Sequence, residues 1–169
     1  MNPAIFIPLV DDTDVIIGHQ EKLLVHELGL LHRAFSILVY NNNGELLIHQ
    51  RAHGKYHSPG LWTNTCCGHP NKDEDMETAV HRRLQEEMGF DCVLNYSFTF
   101  RYRASFDNGL IENEIDHVYV GVYDGEFFVN PDEVAAYKWL SKAEAKTQVN
   151  ANPELFTVWF KEIVNHEYF

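Results

Sequence analysis

The sequence predicts a mixed α/β fold, a sheet sandwiched by helices, on three observations. Strand-like apolar stretches flank turn signals at Asn43-Gly44 and Asp107-Asn108-Gly109. Between them, residues 75–88 carry apolar side chains at helical spacing, with an aspartate at the start and Gly89 at the stop. From residue 153 to 165, Leu155, Val158, Trp159 and Ile163 fall on one helical stripe. Strands interleaved with a central and a terminal helix pack best as layers around one core. At 169 residues the chain is read as a single domain, 1–169, large enough to bury that core.

Taken in order, residues 2–10 read as a strand that Pro3 and Pro8 should keep at a sheet edge. Residues 15–17 read as a short strand before Gly18, and residues 19–31 as a loop or short helix carrying His26. Residues 34–40 and 45–51 should form a hairpin about Asn41-Asn42-Asn43-Gly44. Gly54, Pro59 and Gly60 mark residues 52–65 as loop, and Gly68 reads as a turn. Asp73 or Asp75 should cap the helix that Gly89 ends. Residues 90–102, 110–123 and 134–140 read as strands, with a turn at Asp124-Gly125. Ser141 should cap a short helix to Gln148, before the terminal helix.

Composition excludes several classes. The formal charge of -12 opposes nucleic acid and anionic membrane surfaces. No apolar run approaches the roughly 20 residues of a membrane helix. The start lacks a basic leader, and three cysteines are too few and oddly numbered for a disulfide framework, so a cytoplasmic setting is expected. Eight of the thirteen Lys and Arg lie between Arg33 and Arg103, which suits a local pocket for a small anion.

Residues 67–90 concentrate the chemistry. From Gly68, five residues lead to Glu74 and seven more to Arg82-Arg83-Leu84-Gln85-Glu86-Glu87-Met88-Gly89-Phe90. This spacing resembles the Nudix box, with Arg83 where the box has Glu. On a helical wheel Arg83 and Glu87 lie one turn apart inside the arc of Met76, Val80, Leu84 and Met88, where charge is costly unless compensated. Two readings stay open: an internal i,i+4 ion pair, or a Glu87 that holds a divalent cation, assisted by Glu86, beside an Arg83 that faces phosphate. A reversed charge within the box points to diphosphate binding without hydrolysis.

Around the box stand His26, His32, His69, Glu112 and Glu114; the two glutamates share one strand face. In a chain with ten histidines, spacing alone is a weak signal. The wording is more specific. Leu30-Leu31-His32-Arg33-Ala34-Phe35-Ser36, Trp62-Thr63-Asn64-Thr65-Cys66-Cys67-Gly68-His69-Pro70, Phe100-Arg101-Tyr102-Arg103-Ala104 and Glu112-Asn113-Glu114 resemble type 1 isopentenyl-diphosphate isomerases, from about His26 to Trp159.

The resemblance implies a Nudix-like α/β/α sandwich with a modified box helix, and an isomerase interconverting isopentenyl and dimethylallyl diphosphate. It implies that His26, His32, His69, Glu112 and Glu114 bind one divalent metal (Mn2+, Zn2+ or Mg2+), and that Glu87 holds a Mg2+ bridging the substrate diphosphate. Arg51, Lys55 and Arg83 would neutralise that diphosphate. Cys67 and Glu114 would be the proton-transfer pair, with Tyr102 supporting the acid side, and Trp159 would face the hydrocarbon. The implied partner is a small isoprenyl diphosphate, and the expected assembly is a monomer or weak homodimer. Against it stand a Nudix diphosphohydrolase and a non-catalytic diphosphate-binding module, neither of which needs a paired thiol and carboxyl.

Overall fold

The computed structural model describes residues 3–169, so Asn2, the expected start of the first strand, lies outside the described residues. The elements run β1 (Phe6–Val10), β2 (Ile16–Glu21), α1 (Lys22–Leu28), β3 (His32–Tyr40), β4 (Leu46–Arg51), β5 (Trp62–Thr63), β6 (Cys66–Gly68), α2 (Met76–Met88), β7 (Leu94–Ser105), β8 (Ile111–Val122), β9 (Val134–Leu140), α3 (Lys142–Ala151), a 3-10 turn (Pro153–Leu155) and α4 (Val158–Asn165). All the strands join one mixed sheet, in which β3 pairs parallel with β8 and the other pairs are antiparallel.

Alternation along β3 and β4 places the helices. Phe35, Ile37, Val39 and Leu47 pack with Ala79, Val80, Leu84 and Met88 of α2. Leu38, Leu46 and Ile48 point the other way, against Ala145 and Val149 of α3 and Trp159, Phe160, Ile163 and Val164 of α4. The sheet is therefore covered on both faces, which is the expected α/β/α sandwich.

The expected hairpin is real only at its turn. Asn41 N–H donates to Glu45 O at 2.9 Å and Tyr40 pairs Leu46, but then β3 and β4 part. The segment 62–68 fills the wedge: β5 pairs β4 and β6 pairs β3. Side chains replace ladder bonds at the junction. Thr65 Oγ1 donates to Leu47 O and accepts from Val39 N–H, and Asn64 Nδ2 donates to Ile37 O. Each bridge satisfies buried backbone that the splayed strands expose.

Other boundaries shifted for local reasons. β1 is flanked by β2 and β3, so β2 holds the edge; β1 meets β3 only at Leu9↔His32, leaving little second ladder for Pro8 to interrupt. The second strand runs on through Gly18 to Glu21, with a register shift opposite Leu9 and Val10. Gly68 is strand, not turn; a Cβ there would lie 3.1 Å from Arg83 Cγ and from Phe35 Cζ, so the missing side chain admits α2. The strand expected from residue 90 begins at Leu94, and beyond Gly125 irregular chain continues to β9. The C-terminal helix breaks at Phe156, whose extended backbone leaves Leu155 exposed and off the stripe.

Asp75 caps α2 by accepting from Thr78 N–H, and Gly89 closes it at φ 76°. A Cβ on Gly89 would also clash with the backbone oxygen of Phe128. Gly89→Ala is therefore expected to lose more than the roughly 1–2 kcal/mol of a left-handed alanine, read as a lower urea midpoint at unchanged slope.

Candidate functional site

The period of β8 makes the site. Val118 enters the core beneath α4, and Asp116, Glu114 and Glu112 follow on the same face, each nearly fully buried. Three carboxyls cannot share an apolar core uncompensated, and neighbouring elements supply the partners. β3 sets His32 opposite Glu114, and β7 sets Tyr102 opposite Glu114 from the other side. α1 carries His26, and His69 follows β6.

The histidines are oriented from behind. Nδ1 of His26 is 2.6 Å from Lys22 O, and Nδ1 of His32 is 2.8 Å from Leu30 O. A carbonyl only accepts, so in both rings Nδ1 carries a proton and Nε2 is aimed inward. There it meets carboxylate oxygens: His26 Nε2 to Glu112 Oε2 is 3.3 Å, His32 Nε2 to Glu114 Oε1 is 3.2 Å, and His69 Nε2 to Glu114 Oε1 is 2.8 Å. His26 Nε2 and Glu112 Oε2, though close, are left without a hydrogen-bond partner. One ligand atom from each of His26, His32, His69, Glu112 and Glu114 lies within 4.8 Å of all the others. The orphaned His26 Nε2 and Glu112 Oε2, buried within a convergent imidazole and carboxylate set, are compatible with a cation among them, so the cluster could hold a divalent metal.

Electrostatics divide the histidines: burial opposes the charge on His26, but the Glu112 carboxylate beside it raises it above the usual imidazole value. Burial pushes His69 well below the usual imidazole value, which favours the neutral ring. Burial opposes the charge on Glu112 and Glu114, yet the His26 and His57 imidazoles beside it hold Glu112 well below the usual carboxyl range, and His32 and His69 hold Glu114 below it. Asp116 goes the other way, raised by burial and by Glu114; Ser36 Oγ donates to its Oδ2 while its Oδ1 has no partner.

A cavity of about 200 Å³ opens beside the cluster. Cys67, Tyr102, Glu114 and Trp159 line it together with Arg51, Lys55 and Arg83. Tyr102 Oη donates to Glu114 Oε2 at 2.7 Å, and burial and the Glu114 charge raise its phenol well above the usual range. Burial, then the Glu87 carboxylate, pushes the Cys67 thiol up to about 12. Trp159 Nε1 donates to Asn64 Oδ1 at 3.2 Å, with its ring 5.3 Å below Arg51 Cζ.

The cationic side is already engaged. Arg83 pairs with Glu87 and with Glu86, and Lys55 pairs with Glu133. Arg51 donates to His57 O and Ser58 O. The ion-pair reading of Arg83 and Glu87 is thus realised, and Glu87 stands apart from the His/Glu cluster while lining the same cavity. Sequence reasoning missed Lys22, His57, Asp116 and Glu133, which also line the cavity. Asp116 continues the Glu112-x-Glu114 alternation and Lys22 lies one turn before His26, so both left a signal; His57 and Glu133 sit in irregular chain and left none. Cys66 is buried in the core, and all three cysteines are free. No helix among the described residues is long and apolar enough to cross a membrane.

Thiolate, not thiol, reacts with alkylating agents, so Cys67 should label slowly. At pH 8 a thiol at about 12 should react on the order of a thousandfold slower than a free cysteine near 8.5, rising about tenfold per pH unit until it ionises. Iodoacetamide labelling with peptide mapping checks this; labelling at the free-cysteine rate at neutral pH contradicts it.

Comparison with known proteins agrees with this architecture. The NUDIX domain family matches residues 30–160. Isopentenyl-diphosphate Delta-isomerase 2 of Photorhabdus laumondii is 52% identical over 93% of this chain and 89% of its own. Isopentenyl-diphosphate Delta-isomerase of Serratia proteamaculans is 49% identical over 92% of this chain and 87% of its own. A crystal structure from Deinococcus radiodurans superposes with a TM-score of 0.80 at 19% identity, covering 97% of this chain and 99% of that one, and so shares the fold. Fold, box and near-full-length identity place this chain in the Nudix superfamily, as a member of its isopentenyl-diphosphate Delta-isomerase family.

Proposed function

We infer that the chain interconverts isopentenyl and dimethylallyl diphosphate by adding a proton at one end of an allylic unit and removing one from the other. One observation carries this beyond family membership. A protonated thiol, Cys67, and a carboxyl held by a phenol, the Glu114–Tyr102 pair, line the same cavity as a set of cations. A hydrolase has no use for that pair.

The roles follow from chemistry. An alkene is a weak base, so its protonation needs a positioned acid and yields a tertiary carbocation. Cys67 and Glu114 serve as the two proton carriers, one giving a proton to the terminal methylene and the other taking one from the neighbouring CH2. Tyr102 fixes one oxygen of Glu114 and can pass hydrogen-bond polarity to it. The Trp159 face would stabilise the carbocation by roughly 1–2 kcal/mol when water is excluded. Arg51, Lys55, Arg83 and the newly located Lys22 would bind the diphosphate oxygens.

His26, His32, His69, Glu112 and Glu114 would hold one divalent metal, with Mn2+, Zn2+ and Mg2+ all compatible with imidazole and carboxylate donors. When bound, that ion would fix the Glu114 carboxyl and tune its acidity. Glu87 would hold a Mg2+ that accompanies the substrate diphosphate, taking over a charge that Arg83 balances here.

Phosphorus NMR of isopentenyl diphosphate incubated with protein and Mg2+ tests the reading. Both phosphorus resonances should persist while allylic diphosphate accumulates; release of inorganic phosphate would favour the hydrolase.

A further inference from the structure

We propose that His57 is a positioning residue for Glu112, and that through it a loop lining the cavity is tied to the metal cluster; this rests on the reading of the His/Glu cluster as a metal site. His57 lies in the irregular chain between β4 and β5, where composition predicts only a loop, yet it is 6% exposed. Its Nε2 is 3.0 Å from Glu112 Oε1. The other oxygen, Oε2, faces His26 at 3.3 Å and His32 at 3.6 Å and has no hydrogen-bond partner. A carboxylate only accepts, so the His57 ring N–H donates to Oε1 and leaves Oε2 as the oxygen presented to a cation.

The loop that carries His57 is held from several directions. The ring stacks on Phe106 at 5.2 Å and meets Trp159 edge-on at 5.9 Å. Arg51 Nη2 donates to His57 O at 3.1 Å, and Asn108 Nδ2 donates to Tyr56 O at 2.8 Å. Lys55 sits two residues earlier on the same loop. One side chain thus links a metal-facing carboxylate to the segment that supplies cations for the diphosphate. Partners that orient a ligating carboxylate commonly change metal affinity about 10–100-fold when removed.

Mn2+ titration of the metal-stripped full chain, with free Mn2+ read by electron paramagnetic resonance, tests this. His57→Ala and His57→Phe should weaken binding about 10–100-fold. His57→Gln, whose amide can donate to Glu112, should bind within a few-fold of wild type. The metal-free His57→Ala chain should melt close to metal-free wild type. Equal Mn2+ affinity in all four proteins, no rescue by glutamine, or a metal-free melting loss as large as the loaded one would overturn the proposal while leaving the metal site standing. No Mn2+ binding by wild type would remove the metal reading itself, and this inference with it.

Discussion

Glu114→Gln is expected to lower kcat by about a thousandfold or more at saturating substrate and metal. Glu114 meets His32 and His69 through Oε1 and Tyr102 through Oε2, so no oxygen is idle. Removing a proton carrier costs about 10²–10⁴ in rate. The amide also withdraws a charged donor from the cluster, where such losses weaken metal binding further. The substitution is nearly isosteric, so the fold should survive. Steady-state kinetics across a range of metal concentrations separates the two effects: added metal should restore binding but not kcat. A loss below tenfold would take Glu114 out of the reaction.

Chelation is the second large effect. A ligand that binds only the folded chain stabilises it by about 4 kcal/mol at a thousandfold excess over Kd. For a domain of this size each kcal/mol shifts Tm by about 2–4 °C, so stripping the metal should lower Tm by roughly 8–16 °C. The loss should be local first. His26 on α1 and His32 on β3 point their Nε2 atoms at Glu112, and metal binding couples to folding where ligands come from separate elements. Proteolysis should therefore begin near residues 26–32 in the metal-free chain. Equal melting and equal cleavage with and without metal would contradict this.

Much of this was legible in the sequence because it rests on local periods. The alternation of Glu112 and Glu114 survives folding as one strand face, and Asp75 and Gly89 bound α2 as their chemistry dictates. The five metal-compatible residues named from the sequence lie in one cluster, and Cys67 and Tyr102 line the cavity beside it. What failed was long-range. The parting of β3 and β4 depends on a segment more than ten residues downstream, whose Asn64 and Thr65 side chains stand in for ladder bonds. Gly68 looked like a turn because glycine frequency cannot reveal that Arg83 and Phe35 would crowd a Cβ. His57 and Glu133 enter the site from irregular chain, where no period announces a direction. The resemblance supplied Arg51 and Lys55 but not their carbonyl and carboxylate partners.

The most direct test follows isopentenyl diphosphate with the purified chain and Mg2+ in heavy water by proton NMR. The expected product is dimethylallyl diphosphate carrying deuterium in a methyl group, with exchange and product both lost in Cys67→Ala and Glu114→Gln. Unchanged substrate, or product without solvent deuterium, would contradict proton addition and removal by this pair.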